Sequence, residues 1–295
     1  MPEPQPEYGA GFIGLIIGAI LFGMTILQCN SYFHNYQQDQ LWLKACVATL
    51  CLLDALHLIF STHMMYFYMV TNFDNIAAAD ENIWSLKALA FVQVIVILTV
   101  QTLYLMRIWK LSRSIITHTR VLTALLAGLL TLCVLAFSIG ILFSYEVGIL
   151  QQASMSIPSF RWVIILANFT TVFIDICIAA IMSTLLYRSR PGVRRTDSML
   201  FTLIQYIIGT GVLTSLASIV YIILYVAKPN TFVYLAEQFS STHLYVNSLM
   251  AMMNARDRLR ERLRVPMELE INFSNAVQFP SLSTSAASPV EVTIK

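Results

Sequence analysis

Residues 41–70 read LWLKACVATLCLLDALHLIFSTHMMYFYMV, an almost continuous apolar run. It is longer than the roughly 20 apolar residues that a membrane-spanning helix needs. Near its middle, however, Asp54 and His57 stand one helical turn apart. A charged side chain at the centre of a bilayer costs about 2.5–3.5 kcal/mol on insertion scales, so such residues usually face other helices. This stretch therefore predicts a membrane-spanning helix with one polar face turned into a bundle.

The composition of the whole chain agrees with this prediction. Of its 295 residues, 57% are hydrophobic and only 12% are charged, and the mean hydropathy is +0.70. Soluble domains carry about 25% charged residues. Because this chain cannot cover a large water-exposed surface with charge, the sequence predicts an all-α integral membrane protein.

Seven apolar stretches are candidates for crossing the membrane. They cover residues 10–32, 41–70, 84–109, 121–145, 162–187, 199–226 and 237–253. The seventh is the weakest candidate, because it is short and contains Glu237, His243 and Asn247. The sequence thus favours a bundle of seven transmembrane helices, with six as the alternative.

The lysines and arginines predict the orientation, because cytoplasmic loops carry an excess of both. Fifteen of the 18 fall on one side of a seven-span arrangement, and three, Lys87, Arg161 and Lys228, fall on the other. The N-terminus is therefore predicted to lie outside and the C-terminus in the cytoplasm. The membrane concerned is the plasma membrane or an endomembrane. This distribution describes membrane topology, and it does not indicate nucleic-acid binding.

Four regions follow from these spans. Residues 1–9 form a short outer segment, 10–253 the transmembrane domain, 254–264 a basic juxtamembrane helix, and 265–295 a disordered tail. Helices with basic residues at the cytoplasmic surface bind anionic lipid, although the same charges also fit a plain orientation signal. The arginines concerned are Arg256, Arg258, Arg260, Arg262 and Arg264.

A polar centre is the main candidate site. Asp54 and Asp175 lie at similar distances from the cytoplasmic ends of their spans, so they share a depth to within about one turn. With His57 they suggest a site for a proton, a cation or a ligand amine. A structural hydrogen-bond network between helices is the alternative. The other polar residues predicted to be buried nearby are Gln101, Asn168, Gln205, His243 and Asn247.

Several other patterns limit the function. The five cysteines lie in or beside the spans without zinc-site spacing, and the chain shows no phosphate loop or catalytic triad. No metal, cofactor or enzymatic activity is therefore predicted. Gly14 and Gly18 form a small-residue face, which we expect to pack against another span of this chain.

Four separated motifs resemble one family. The segments are LLDALHLIFSTHMMYFYMVTNFDN at 52–75, RIWKLSRS at 107–114, RTDSMLFTLIQYIIGTGVLTS at 195–215 and MNARDRLR at 253–260. They resemble motifs of an uncharacterised family of seven-span membrane proteins from mushroom-forming (basidiomycete) fungi that carry a domain of unknown function. The resemblance covers residues 10–264 and departs at Asp74, where a glycine is expected. It implies the seven-span fold and no particular activity.

Three function classes remain open. A receptor or sensor is favoured by the seven spans, the short loops and the basic segment after the last span. A transporter or channel for a small molecule or ion is the alternative, because it would use acids in mid-membrane. A membrane-embedded metal hydrolase would require Asp54, His57 and His243 to meet, and so would need the seventh span to pack beside the second. The sequence identifies neither a ligand nor an oligomeric state.

Overall fold

The computed structural model describes residues 6–73, 83–115, 119–149, 158–188, 194–227 and 233–276. Over these residues the chain forms seven helices and no strand, and each of the seven apolar stretches lies in helical structure. A short π-helical segment, Phe67–Thr71, continues from the second helix. The helices are α1 (Pro6–Asn35), α2 (Leu41–Tyr66), α3 (Trp84–Ile115), α4 (Thr119–Ile149), α5 (Pro158–Arg188), α6 (Arg194–Ala227) and α7 (Val233–Ala276).

Helices α1 to α6 are long and apolar enough to cross a membrane. Large apolar side chains cover their outward surfaces, as at Leu27, Leu142 and Phe169, whose exposed fractions are 71%, 64% and 63%. Soluble proteins rarely expose extended apolar surface of this kind, whereas lipid tails solvate it. These features are those of a multi-pass membrane protein.

Helix α7 is less apolar and occupies the interior of the bundle. None of its residues from 233 to 255 is exposed. It contacts α1, α2, α3, α5 and α6 through side chains spread along this length. A helix that faces protein on all sides can carry polar residues, because neighbouring helices satisfy them. This position explains why the apolar signal of the seventh stretch is weak.

The small-residue face of α1 packs against α7. A Cβ atom on Gly14 would lie 2.2 Å from the carbonyl oxygen of Ala236, and one on Gly18 would lie 3.0 Å from that of Phe239. Only glycine permits so close an approach of two helix backbones. The expectation that this face packs within the chain is therefore confirmed.

The two ends of the chain differ from the predicted boundaries. Helix α1 begins at Pro6, inside the segment predicted at 1–9, and α7 continues to Ala276, past the predicted start of the tail at 265. The continuation contains Met267, Glu268 and Leu269, which favour helix. The chain divides into two compact units, Met1–Arg256 and Asp257–Lys295. Residues 277–295 and the side chains from 256 onward, including the five arginines, lie outside the described part.

Candidate functional site

Asp54 forms a buried pair with a histidine of α7. Its Oδ1 lies 2.8 Å from Nδ1 of His243, and both side chains are fully buried. His57, one turn further along α2, places Nε2 3.1 Å from Oγ1 of Thr242, and its ring meets that of His243 edge to face at 5.2 Å. Asp54 and His57 therefore clamp α2 to α7 at two successive turns.

Asn247 extends this clamp to α1. Its side-chain amide donates to the carbonyl of Leu21 at 2.8 Å and to that of His243 at 2.9 Å. Four atoms in the clamp have no hydrogen-bond partner among the described residues: Oδ2 of Asp54, Nδ1 of His57, Nε2 of His243 and Oδ1 of Asn247. The clamp thus holds unused donor and acceptor capacity in a tightly packed region.

Asp175 belongs to a second cluster, on another side of α7. Gln101 of α3 donates from Nε2 to Asp175 Oδ1 at 3.1 Å, and the hydroxyl of Tyr245 donates to Oδ2. Three residues after Gln101 on α3 and after Tyr245 on α7, the hydroxyls of Tyr104 and Ser248 form a hydrogen bond of 3.1 Å. This cluster joins α3, α5 and α7.

The prediction that Asp54 and Asp175 share one centre is wrong. Their partners on α7, His243 and Tyr245, are two residues apart, so both acids are bound at nearly the same level. Two residues correspond to about 200° around a helix axis, so the two partners point to different sides. Because α7 lies between the acids, each finds a separate partner on it.

A cavity of about 140 Å³ adjoins the Asp175 cluster. Its walls come from α3 to α7, and the α7 wall presents Gln238, Ser241 and Tyr245, which share one helix face. Gln238 donates to Gln93 Oε1 of α3 at 2.8 Å. A second cavity of about 30 Å³ includes Asp175 in its lining, and Tyr245 belongs to both. The Gln101–Asp175–Tyr245 cluster therefore stands where the two cavities meet.

The remaining predicted site residues divide between the cavity and the surface. Asn168 lines the 140 Å³ cavity together with Gln101. Gln205 is exposed on the outer surface of α6, so the prediction of its burial is wrong. Its neighbours Ile204 and Ile207 are the buried residues of that turn, and the rotation of α6 that buries them turns Gln205 outward.

The polar face of α7 that lines the cavity is absent from the predicted site. Gln238, Ser241 and Tyr245 repeat at intervals of three and four residues, which is the signal that could have revealed one helix face. Glu237, which weakens the apolar signal of the seventh stretch, also lines this cavity. The adjacent wall of α6 contributes Ser218 and Tyr221.

The described residues offer no set of metal ligands for the metal hydrolase alternative. The seventh helix does pack beside the second, as that alternative required. Yet within the described ranges no group of three or more histidine, cysteine or acidic side chains is arranged to hold a metal ion. What the site offers is hydrogen bonding, a buried acid–histidine pair and a polar cavity.

The helices and the buried polar clusters together define a multi-pass membrane protein with an internal cavity. Residues 171–258 match a family of unknown function, DUF6534, so a domain of unknown function is present in this chain. The matched segment contains Asp175, Glu237, His243 and Tyr245 and excludes Asp54. No curated protein and no solved structure matches the chain.

Proposed function

We propose that this protein is a seven-span receptor or sensor that binds a small ligand in the cavity among α3 to α7. The observation that carries the proposal is the position of α7. This one helix lines the cavity with Gln238 and Tyr245 and also binds both acids, Asp175 through Tyr245 and Asp54 through His243. A ligand that shifts α7 acts on both clusters at once, which is the requirement for coupling a site to the rest of a bundle.

The contacts of α1 support α7 as a seventh span. Going along α1, Gly14, Leu21 and Gln28 meet Ala236, Asn247 and Asn254 in the same order, so the two helices run parallel. The contacts extend from Ala236 to Asn254, eighteen steps along α7, which is about 27 Å at 1.5 Å per residue. This length approaches the roughly 30 Å of a bilayer core. Successive membrane spans alternate in direction, so the first and last spans run parallel only when the number of spans is odd.

The proposed topology places the N-terminus outside and the C-terminus in the cytoplasm. An epitope tag before Pro2 is expected to bind antibody on intact spheroplasts, and one after Lys295 only after permeabilisation. Detection of both tags on the same side would contradict seven spans, because an odd number of spans places the two termini on opposite sides.

The size of the cavity sets the size of the ligand. An apolar protein cavity of about 150 Å³ holds one benzene molecule, so 140 Å³ accommodates a compact ligand of similar bulk. A library of compounds this small should therefore contain some that raise the melting temperature of the purified protein. Ala136→Leu, which fills the cavity from α4, should abolish that stabilisation, and Ala127→Leu on the exposed side of the same helix should preserve it.

A transporter or channel is the second candidate function. The observation that favours it is the pair of cavities that meet at Tyr245 and the Asp175 cluster. Opening of that cluster would join them into a longer path. Compounds found by the stabilisation screen can be tested for uptake into proteoliposomes. Uptake that Asp175→Asn alters favours transport, whereas binding without uptake favours the receptor.

The basic segment at 254–264 is proposed to bind anionic lipid at the cytoplasmic face. The support is its charge, five arginines around Leu259 and Leu263, since juxtamembrane Lys/Arg clusters bind acidic headgroups. A peptide of residues 252–265 should bind vesicles containing phosphatidylserine and dissociate as salt is added. Equal binding to neutral vesicles would contradict an electrostatic origin.

A further inference from the structure

The charged groups around the 140 Å³ cavity are of one sign. Among the described residues that line it, Glu237 is the single acid, and lysine, arginine and histidine are absent. The remaining polar atoms are neutral amides and hydroxyls, contributed by Gln93, Asn168 and Ser218 among others. Glu237 is therefore the acid of the cavity wall itself, whereas the carboxylate of Asp175 lies outside that wall and is bound by Gln101 and Tyr245.

Glu237 retains an unused acceptor. Its Oε1 is buried and has no hydrogen-bond partner among the described residues. Two amides of the cavity wall, Gln238 and Gln93, form a hydrogen bond of 2.8 Å with each other. A buried carboxylate oxygen without a partner is costly, and the cost falls when a donor or a cation reaches it.

Aromatic walls complete the site. Tyr221 of α6 and Phe137 of α4 line the same cavity as Glu237. Faces of aromatic rings attract organic ammonium ions, which also tolerate apolar surroundings on their carbon body. A carboxylate with aromatic rings in a compact cavity is thus a constellation suited to a small amine.

We infer that the cavity binds a small organic cation, an ammonium group on a compact apolar body about the size of benzene, with Glu237 as its counter-ion. This inference rests on the proposed function, because it names the ligand class of that cavity. The ammonium group donates to the buried Oε1 of Glu237, and the apolar body lies among the walls from α3 to α6. Anions are excluded, because the cavity offers them an acid and no described basic group.

The test uses the full chain in lipid nanodiscs with two probes of nearly equal shape. Benzylamine is charged at neutral pH, and benzyl alcohol is not. Benzylamine is expected to raise the melting temperature more and to bind at least tenfold more tightly. Glu237→Gln, which keeps the shape and removes the charge, should weaken benzylamine binding by about ten- to hundredfold, the usual effect of losing a charged hydrogen bond. Binding of benzyl alcohol should stay the same.

Two controls separate this inference from the cavity proposal beneath it. Asp39→Asn removes an acid from the turn between α1 and α2, away from the cavity, and should not change either affinity. Ala136→Leu should abolish binding of both probes. If the two probes bind equally and Ala136→Leu abolishes the binding of both, the cation inference is overturned. The cavity then still stands as a ligand site. Binding of neither probe, or binding that Ala136→Leu does not affect, would overturn both.

Discussion

The two sides of α7 use the same residue type in opposite ways. Toward α1 and α2, the helix packs closely on Gly14 and Gly18, and Asp54 is fully buried against His243. Toward α3 and α5, Asp175 is only partly buried and lines a cavity beside Tyr245. We call these the packed side and the cavity side of α7.

The difference shows what an acid inside a membrane protein can do. On the packed side the acid fixes one arrangement of helices, because separating it from His243 would leave both buried polar groups without this hydrogen bond. On the cavity side the carboxylate borders space that another molecule can fill, so its hydrogen bonds can be exchanged. We therefore expect substitutions on the packed side to reduce stability most and those on the cavity side to change binding.

The largest effect is expected for Asp54→Leu. Removing one partner from a buried pair leaves His243 unsatisfied and should lower the free energy of unfolding by about 3–5 kcal/mol. Asp54→Asn should cost less, because the amide still forms hydrogen bonds. Unfolding by sodium dodecyl sulfate in mixed micelles measures both. The double variant Asp54→Leu with His243→Leu should recover part of the loss, and no recovery would mean that the pair is not the cause.

A smaller loss is expected for Gly14→Ala. The new methyl group would meet the backbone of Ala236, which cannot move aside as a flexible side chain does. Overpacking of this kind costs about 1–3 kcal/mol. Gly23→Ala is the matched control, because space around Gly23 is open; it should stabilise the helix by a few tenths to about 1 kcal/mol. Equal effects of the two variants in thermal unfolding would contradict close packing of α1 on α7.

On the cavity side, Tyr245→Phe should cost only about 1 kcal/mol. It removes one hydrogen bond to Asp175, while Gln101 still donates to that carboxylate. The same variant should change the affinity of a cavity ligand, because Tyr245 lines the cavity. Thermal unfolding with and without benzylamine compares the two effects. If Tyr245→Phe lowered the stability as much as Asp54→Leu does, the proposed difference between the two sides would be contradicted.

The smallest effect is expected at the outer surface. Gln205→Leu should change the stability by less than about 0.5 kcal/mol or increase it slightly, because the side chain is exposed to the surroundings of α6. Gln101→Leu, which removes a donor to Asp175, is the buried counterpart and should destabilise the protein measurably. If Gln205→Leu were the more damaging of the two, the observed rotation of α6 would be wrong.

The sequence alone determined where the helices form and, for several of them, which face points into the bundle. Long apolar runs predict helices because every backbone group in lipid must be bonded within its own segment. The burial of Asp54 and His57 was predictable from the cost of exposing them to lipid. The spacing of Gly14 and Gly18 predicted a close helix contact in the same way. These properties are local, since each depends on one segment and its solvent.

Tertiary structure decided which groups meet. Asp54 pairs with His243 and Asp175 with Tyr245 because α7 lies between two acids that the sequence placed at one depth. Gln205 points outward and Glu237 lines a cavity because the rotation of each helix is set by packing against all its neighbours. Such rotations depend on contacts between segments far apart in the chain, which no pattern within a single helix specifies. The sequence therefore determined that polar groups lie inside this protein, and only the packing around α7 determined which of them clamp helices and which border a cavity.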